Sequence, residues 1–151
     1  MDLETLERIA EHYRIFKKVF REARKSLTDE SFDKLHESRS LIEDLFIVEI
    51  FSCFERFLRN KILAGIKLEE FFLWKEEVIE HIEYMKIANI LEALKAGGID
   101  PHAVGYLKHI KDYRDWVAHG RNERKPPPVS RVDFDKAYEL IRDIMVQVDR
   151  K

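Results

Sequence analysis

The sequence predicts an all-α bundle, on three observations. Apolar residues recur at spacings of three and four along most of the chain. No stretch shows the strict alternation of a half-buried strand. Glycine and proline are scarce, five and four among 151 residues, and three of the prolines are consecutive, so little interrupts long helices. The pattern divides into about five helices in one domain spanning residues 1–151.

Leu3, Leu6, Ile9, Tyr13, Phe16 and Phe20 mark an amphipathic first helix to about Lys25. Ser26-Leu27-Thr28-Asp29 is a break with capping chemistry. In the second helical stretch, Ser40 with Glu43 has the form of a capping box that restarts the helix. Between Leu41 and Leu63 that helix is apolar on more than one face, which expects a central place in the bundle or a subunit interface; Gly65 ends it. Phe71, Phe72 and Trp74 form an aromatic knot, and a third helix is expected from about Glu76 to Ala96, stopped by Gly97-Gly98. Asp100 and Pro101 are a favourable N-cap and first residue for a helix that ends at His119-Gly120. Pro126-Pro127-Pro128 excludes helix from the following loop. Ser130 is then expected to cap a last helix built on Phe134, Ala137, Tyr138, Ile141, Ile144 and Val148.

Composition narrows the function classes. With 45% hydrophobic and 37% charged residues, the chain reads as globular and soluble. A single cysteine, Cys53, excludes an internal disulfide framework and fits a reducing, cytoplasmic setting; it reads as core filler rather than a nucleophile. Charged residues interrupt the longest apolar stretch, so no membrane span is expected, and no secretory leader is evident. No ligand cluster for a metal appears, nor any glycine-rich phosphate loop, so no cofactor is expected. The net charge of −2 does not itself suggest nucleic acid, but residues 108–125 carry six cations against three anions.

That basic segment surrounds the chain's most informative stretch, Tyr113-Arg114-Asp115-Trp116-Val117-Ala118-His119-Gly120. Arginine supplies a fixed, forked cation for phosphate, and histidine titrates near neutral pH; metal-free phosphodiester cleavage needs both. On one straight helix, Arg114 and His119 diverge by about 140°, whereas Asp115 and His119 share a face. A compact site therefore expects a homodimer in which two such helix ends meet, and symmetric pairing also accounts for the over-apolar second helix.

Arg114, the polar Asp115 directly after it and His119 five residues beyond Arg114, with Gly120 following, resemble the signature of the HEPN family (higher eukaryotes and prokaryotes nucleotide-binding). Phe54-Glu55-Arg56-Phe57-Leu58-Arg59-Asn60 and the Gly97-Gly98-Ile99-Asp100 turn extend the resemblance more loosely, and length and helix order carry it over nearly the whole chain. The resemblance implies a metal-independent endoribonuclease, usually dimeric and often a toxin or defence effector with an antitoxin partner. In one branch that partner is a nucleotidyltransferase that modifies a tyrosine two residues after the histidine. Arg121 stands there in this chain, which argues against that mode of regulation. The expected catalytic set is Arg114, Asp115 and His119. Lys111, Arg121, Arg124 and Lys125 are the expected contacts to the RNA backbone. The alternative is a non-catalytic HEPN-like helical dimer that binds a nucleotide or a partner protein.

Overall fold

A computed structural model describes residues 2–66, 74–121 and 126–150. Among these residues there are six α-helices and no strand: α1 (Asp2–Arg24), α2 (Asp29–Gly65), α3 (Lys75–Tyr84), α4 (Ile87–Ala96), α5 (Pro101–Ala118) and α6 (Phe134–Asp149). The all-α expectation holds, with one helix more than the five expected.

α2 is the axis of the bundle, with α1, α3, α5 and α6 packed around it, and α4 packs on α5. Arg24 of α1 lies over the Phe32 ring, while Asp2 accepts a hydrogen bond from the Cys53 thiol through its backbone oxygen. The two helices therefore run antiparallel. Ile47, Ile50, Phe51, Phe54, Phe57 and Leu58 of α2 are buried, and Cys53 is buried with them as core filler. Phe51 and Phe54 meet edge to face. The apolar excess of α2 does not end in the core. Leu41, Ile42 and Leu45 form an exposed strip on its outer face, Leu45 being 61% exposed.

Three local expectations are corrected. Ser40 and Glu43 do not restart α2, which is continuous through both. The Glu43 carboxylate instead accepts from Arg39 and Arg131. The helix expected over 76–96 is split, with Met85 and Lys86 extended between α3 and α4. Ile82 and Leu91 explain the split. Nine residues apart, they would point in opposite directions on one straight helix, yet both are buried. The break lets each face turn inward. Finally, Asp133 rather than Ser130 caps α6, accepting at 3.0 Å from the Lys136 amide. Ser130 lies against His109, whose Nε2 sits 2.9 Å from the Ser130 carbonyl oxygen.

α5 forms as its sequence asks. The Asp100 carboxylate accepts from the Ala103 amide at 3.1 Å, and Pro101 occupies the first helical position, where its missing N–H costs nothing. At the other end, Gly120 amide donates to the Val117 carbonyl and Arg121 amide to the Trp116 carbonyl, a Schellman closure. Gly120 takes a φ of 82° to make it. The α4 terminus closes alike through Gly98, with a φ of 86°. Phe71 and Phe72 of the expected aromatic knot lie outside the described residues; Trp74 is exposed.

Candidate functional site

The residues singled out by sequence occupy the last two turns of α5 and the turn that closes it. Arg114 points inward to α2. Its guanidinium lies 4.8 Å from the centre of the Phe51 ring, and Nη2 donates to the Glu55 carboxylate at 3.1 Å. The other Glu55 oxygen accepts from Arg59 at 2.7 Å, and Arg59 also donates to the Ile82 carbonyl oxygen at 2.5 Å. Glu55 is thus held between two guanidiniums, each side chain about four-fifths buried. An acid inside an apolar helix needs such partners. Its pairing with Arg114, 59 residues away, is the contact that the sequence left unassigned.

Asp115 sits between two cations. One oxygen is 2.9 Å from Lys111 Nζ, and the other lies 3.1 Å from Arg114 Nε. The latter is an ion-pair contact without hydrogen-bond alignment, and this Nε is fully buried and lacks an acceptor. A buried donor left open is uncommon and costs about 1–3 kcal/mol. The hydrogen bond to Asp115 raises the Lys111 pKa against the opposing effect of burial. Asp115 and His119 do meet one turn apart, but through the backbone: His119 N–H donates to the Asp115 carbonyl oxygen at 3.0 Å. The carboxylate itself is taken by Lys111 and Arg114.

His119 is the C-cap of α5, with φ −86° and ψ 19°, and its side chain is exposed. Among the described residues its imidazole has no hydrogen-bond partner. Arg114 and His119 thus face different surroundings, one the α2–α5 seam and the other solvent.

Arg121 follows in the left-handed region at φ 49°, unusual for a residue with a Cβ. Three contacts hold it. Its Nη2 donates to the Ser40 carbonyl oxygen at 3.1 Å and to the Asp44 carboxylate, and its guanidinium carbon lies 5.9 Å from the Trp116 ring centre. Burial lowers its pKa, and the nearby Arg131 charge adds to the effect. Asp44, only 2% exposed, also accepts from the Tyr113 hydroxyl at 2.9 Å. Asp44 therefore ties the body of α5 and the turn beyond it to α2, a role its place in an apolar helix signals only by its charge.

Of the expected RNA contacts, Lys111 and Arg121 are both engaged by carboxylates in the single chain. Arg124 and Lys125 lie outside the described residues. Among the described residues no three His, Cys, Asp or Glu side chains are grouped to hold a metal ion. No described helix is long and apolar enough to cross a membrane. Comparison with family models, curated proteins and solved structures finds no match to this chain.

Proposed function

We propose that the chain is a metal-independent endoribonuclease of the HEPN type, with an active centre assembled from two copies of Arg114, Asp115 and His119. One observation carries this reading. The end of α5 combines a guanidinium braced against Phe51 and Glu55 with an imidazole that is exposed and uncommitted. A fixed cation suits charge that builds on a phosphorane, and a free imidazole suits proton transfer. Two-fold pairing supplies what one chain lacks. Arg121 docks the end of α5 against Ser40 and Asp44, in the same stretch of α2 that exposes Leu41, Ile42 and Leu45. Pairing through that strip brings two helix ends to one cleft.

In the proposed reaction the RNA 2′-OH attacks the adjacent phosphorus as one His119 takes its proton. The bond to the 5′-oxygen breaks as the other His119 protonates the leaving group, giving a 2′,3′-cyclic phosphate and a 5′-OH. Arg114 stabilises the phosphorane, Asp115 positions Arg114 and Lys111, and Lys111, Arg121, Arg124 and Lys125 hold the RNA backbone. A cytoplasmic toxin or defence effector held in check by an antitoxin is the setting that the resemblance adds to the proposal. The test is cleavage of a generic RNA by clean protein in excess EDTA, with analysis of the ends. Cyclic-phosphate products support the mechanism, and activity that requires restored Mg²⁺ or Mn²⁺ rejects it.

A second reading has its own support. Arg114, Lys111 and Arg121 are each paired with a carboxylate already, as expected of a bundle held by ion pairs. In that reading the fold is a non-catalytic helical dimer that binds a nucleotide or a partner protein, and clean protein leaves RNA intact while retaining nucleotide binding.

A further inference from the structure

A polar cavity of about 340 Å³ lies where α1, α2 and the start of α6 meet. Its apolar wall includes the Tyr13 and Phe134 rings, stacked with centres 3.9 Å apart. Tyr13 is 95% buried by residue, being 5% exposed. Yet its hydroxyl has no hydrogen-bond partner among the described residues. Tyr13 itself lines this cavity, together with the Glu43 and Asp133 carboxylates. Burial, and then those carboxylates, push the Tyr13 pKa up to about 12, so at neutral pH the group is a donor.

The two guanidiniums here are donors as well. Arg39 Nε and Arg131 Nη2 each lie 2.9 Å from a different oxygen of Glu43. Each guanidinium spends one nitrogen on that carboxylate and Arg131 also meets the Tyr113 hydroxyl, which still leaves further N–H groups on both. The first turn of α6, a helix of 16 residues, begins at the cavity wall with Asp133 and Phe134. Its Lys136 amide is satisfied by the Asp133 side chain, which leaves earlier amides of that turn without intrahelical acceptors. Glu43 is matched by two arginines and Asp135 by Lys17 at 3.2 Å, while Asp133 accepts the cap bond.

We propose that this cavity is a binding site for a small phosphomonoester, received by the Tyr13 hydroxyl, the Arg39 and Arg131 guanidiniums and the first amides of α6. Two forked cations, a phenol and a helix N-terminus supply more donors than a carboxylate can accept, whereas three terminal phosphate oxygens accept them all. The cavity is in the size range of ordinary small-molecule sites. The site uses none of Arg114, Asp115 and His119, and its test reads binding alone, so it stands whether or not the chain cleaves RNA.

Calorimetric titration of the full chain separates the sources of the phosphate. The probes are inorganic phosphate, ribose 5-phosphate and AMP, with adenosine and acetate as controls. At least one phosphate probe should bind, adenosine and acetate should not, and the phosphate probe that binds most tightly identifies how much of the ligand is read. Tyr13→Phe removes only the unpartnered hydroxyl. It should weaken binding about tenfold or more, the size of a hydrogen bond to a charged acceptor, while leaving Tm unchanged. Arg131→Ala, at a half-exposed side chain, should weaken it at least as much. No binding of any phosphate probe at millimolar concentration overturns the proposal, as does equal affinity for acetate. Unaltered affinity in both variants overturns it too.

Discussion

Asp44→Ala is the sharpest structural prediction, because Asp44 is the one buried charged residue among those described. The substitution strands two partners at once. The Tyr113 hydroxyl loses its acceptor at 2.9 Å, and Arg121 loses the carboxylate that holds it in the left-handed turn after His119. Removing one partner of a buried ion pair costs about 3–5 kcal/mol. Arg121 keeps a quarter of its side chain in solvent and can relax outward, so the lower end applies, about 3 kcal/mol. Unfolding entropy of about 2.1 cal/mol/K per residue, over 151 residues, gives about 0.3 kcal/mol/K. The melting temperature should therefore fall by about 10 °C in a two-state thermal melt. Asp44→Asn, which keeps an acceptor for both partners, should lose less. A melting temperature within about 2 °C of the parent for Asp44→Ala would refute the reasoning that this carboxylate ties α5 to α2.

The remaining predictions concern titration, the helix end and the dimer. Tyr13 and Tyr113 both hold their protons more tightly when folded, burial being the main cause, with Tyr13 pushed to about 12. The stability they contribute is complete below the unfolded phenol value near 10 and is lost as pH rises towards 12; melts between pH 9 and pH 12 should show this, and Tyr13→Phe should flatten it. Gly120→Ala meets no atom within 4 Å of the added Cβ, so its cost is backbone strain alone, about 1–2 kcal/mol in a denaturant titration. Light scattering at micromolar concentration should give about twice the chain mass, and Leu45→Glu on the exposed strip of α2 should give the monomer and abolish RNA cleavage. A parent that is a clean monomer removes the composite site.

How much was legible followed from how local the cause was. The start of α5 could be read because Asp100 and Pro101 act within one turn, and its end because Gly120 supplies the positive φ that a Schellman closure needs. The break between α3 and α4 could not, because no glycine or proline marks Met85 and Lys86. It arises from the shared need of Ile82 and Leu91 to reach the core. Ser130 and Asp133 are both good caps, and what decides between them is tertiary: Ser130 lies against His109 while Val132 and Phe134 are buried. At the candidate site the side chains were legible but not their commitments. The sequence marks Arg114, Lys111 and Arg121 as cations. That Glu55 and Asp44 neutralise Arg114 and Arg121 follows from the packing of α5 on α2, which joins residues 59 and 77 positions apart, whereas Asp115 meets Lys111 one turn away within α5. Glu55 and Asp44 did carry a signal, as acids in an apolar helix that require partners.

The most direct test of the central claim is the single-turnover rate of RNA cleavage by His119→Ala, in EDTA, across the neutral pH range. The imidazole has no partner among the described residues, and Gly120 still closes the helix, so stability should change by under about 1 kcal/mol and the proposed dimer should persist. Loss of the proposed general acid or base should slow cleavage by about two orders of magnitude or more. A variant that cleaves as fast as the parent at every pH would contradict the account and leave the end of α5 without a catalytic role.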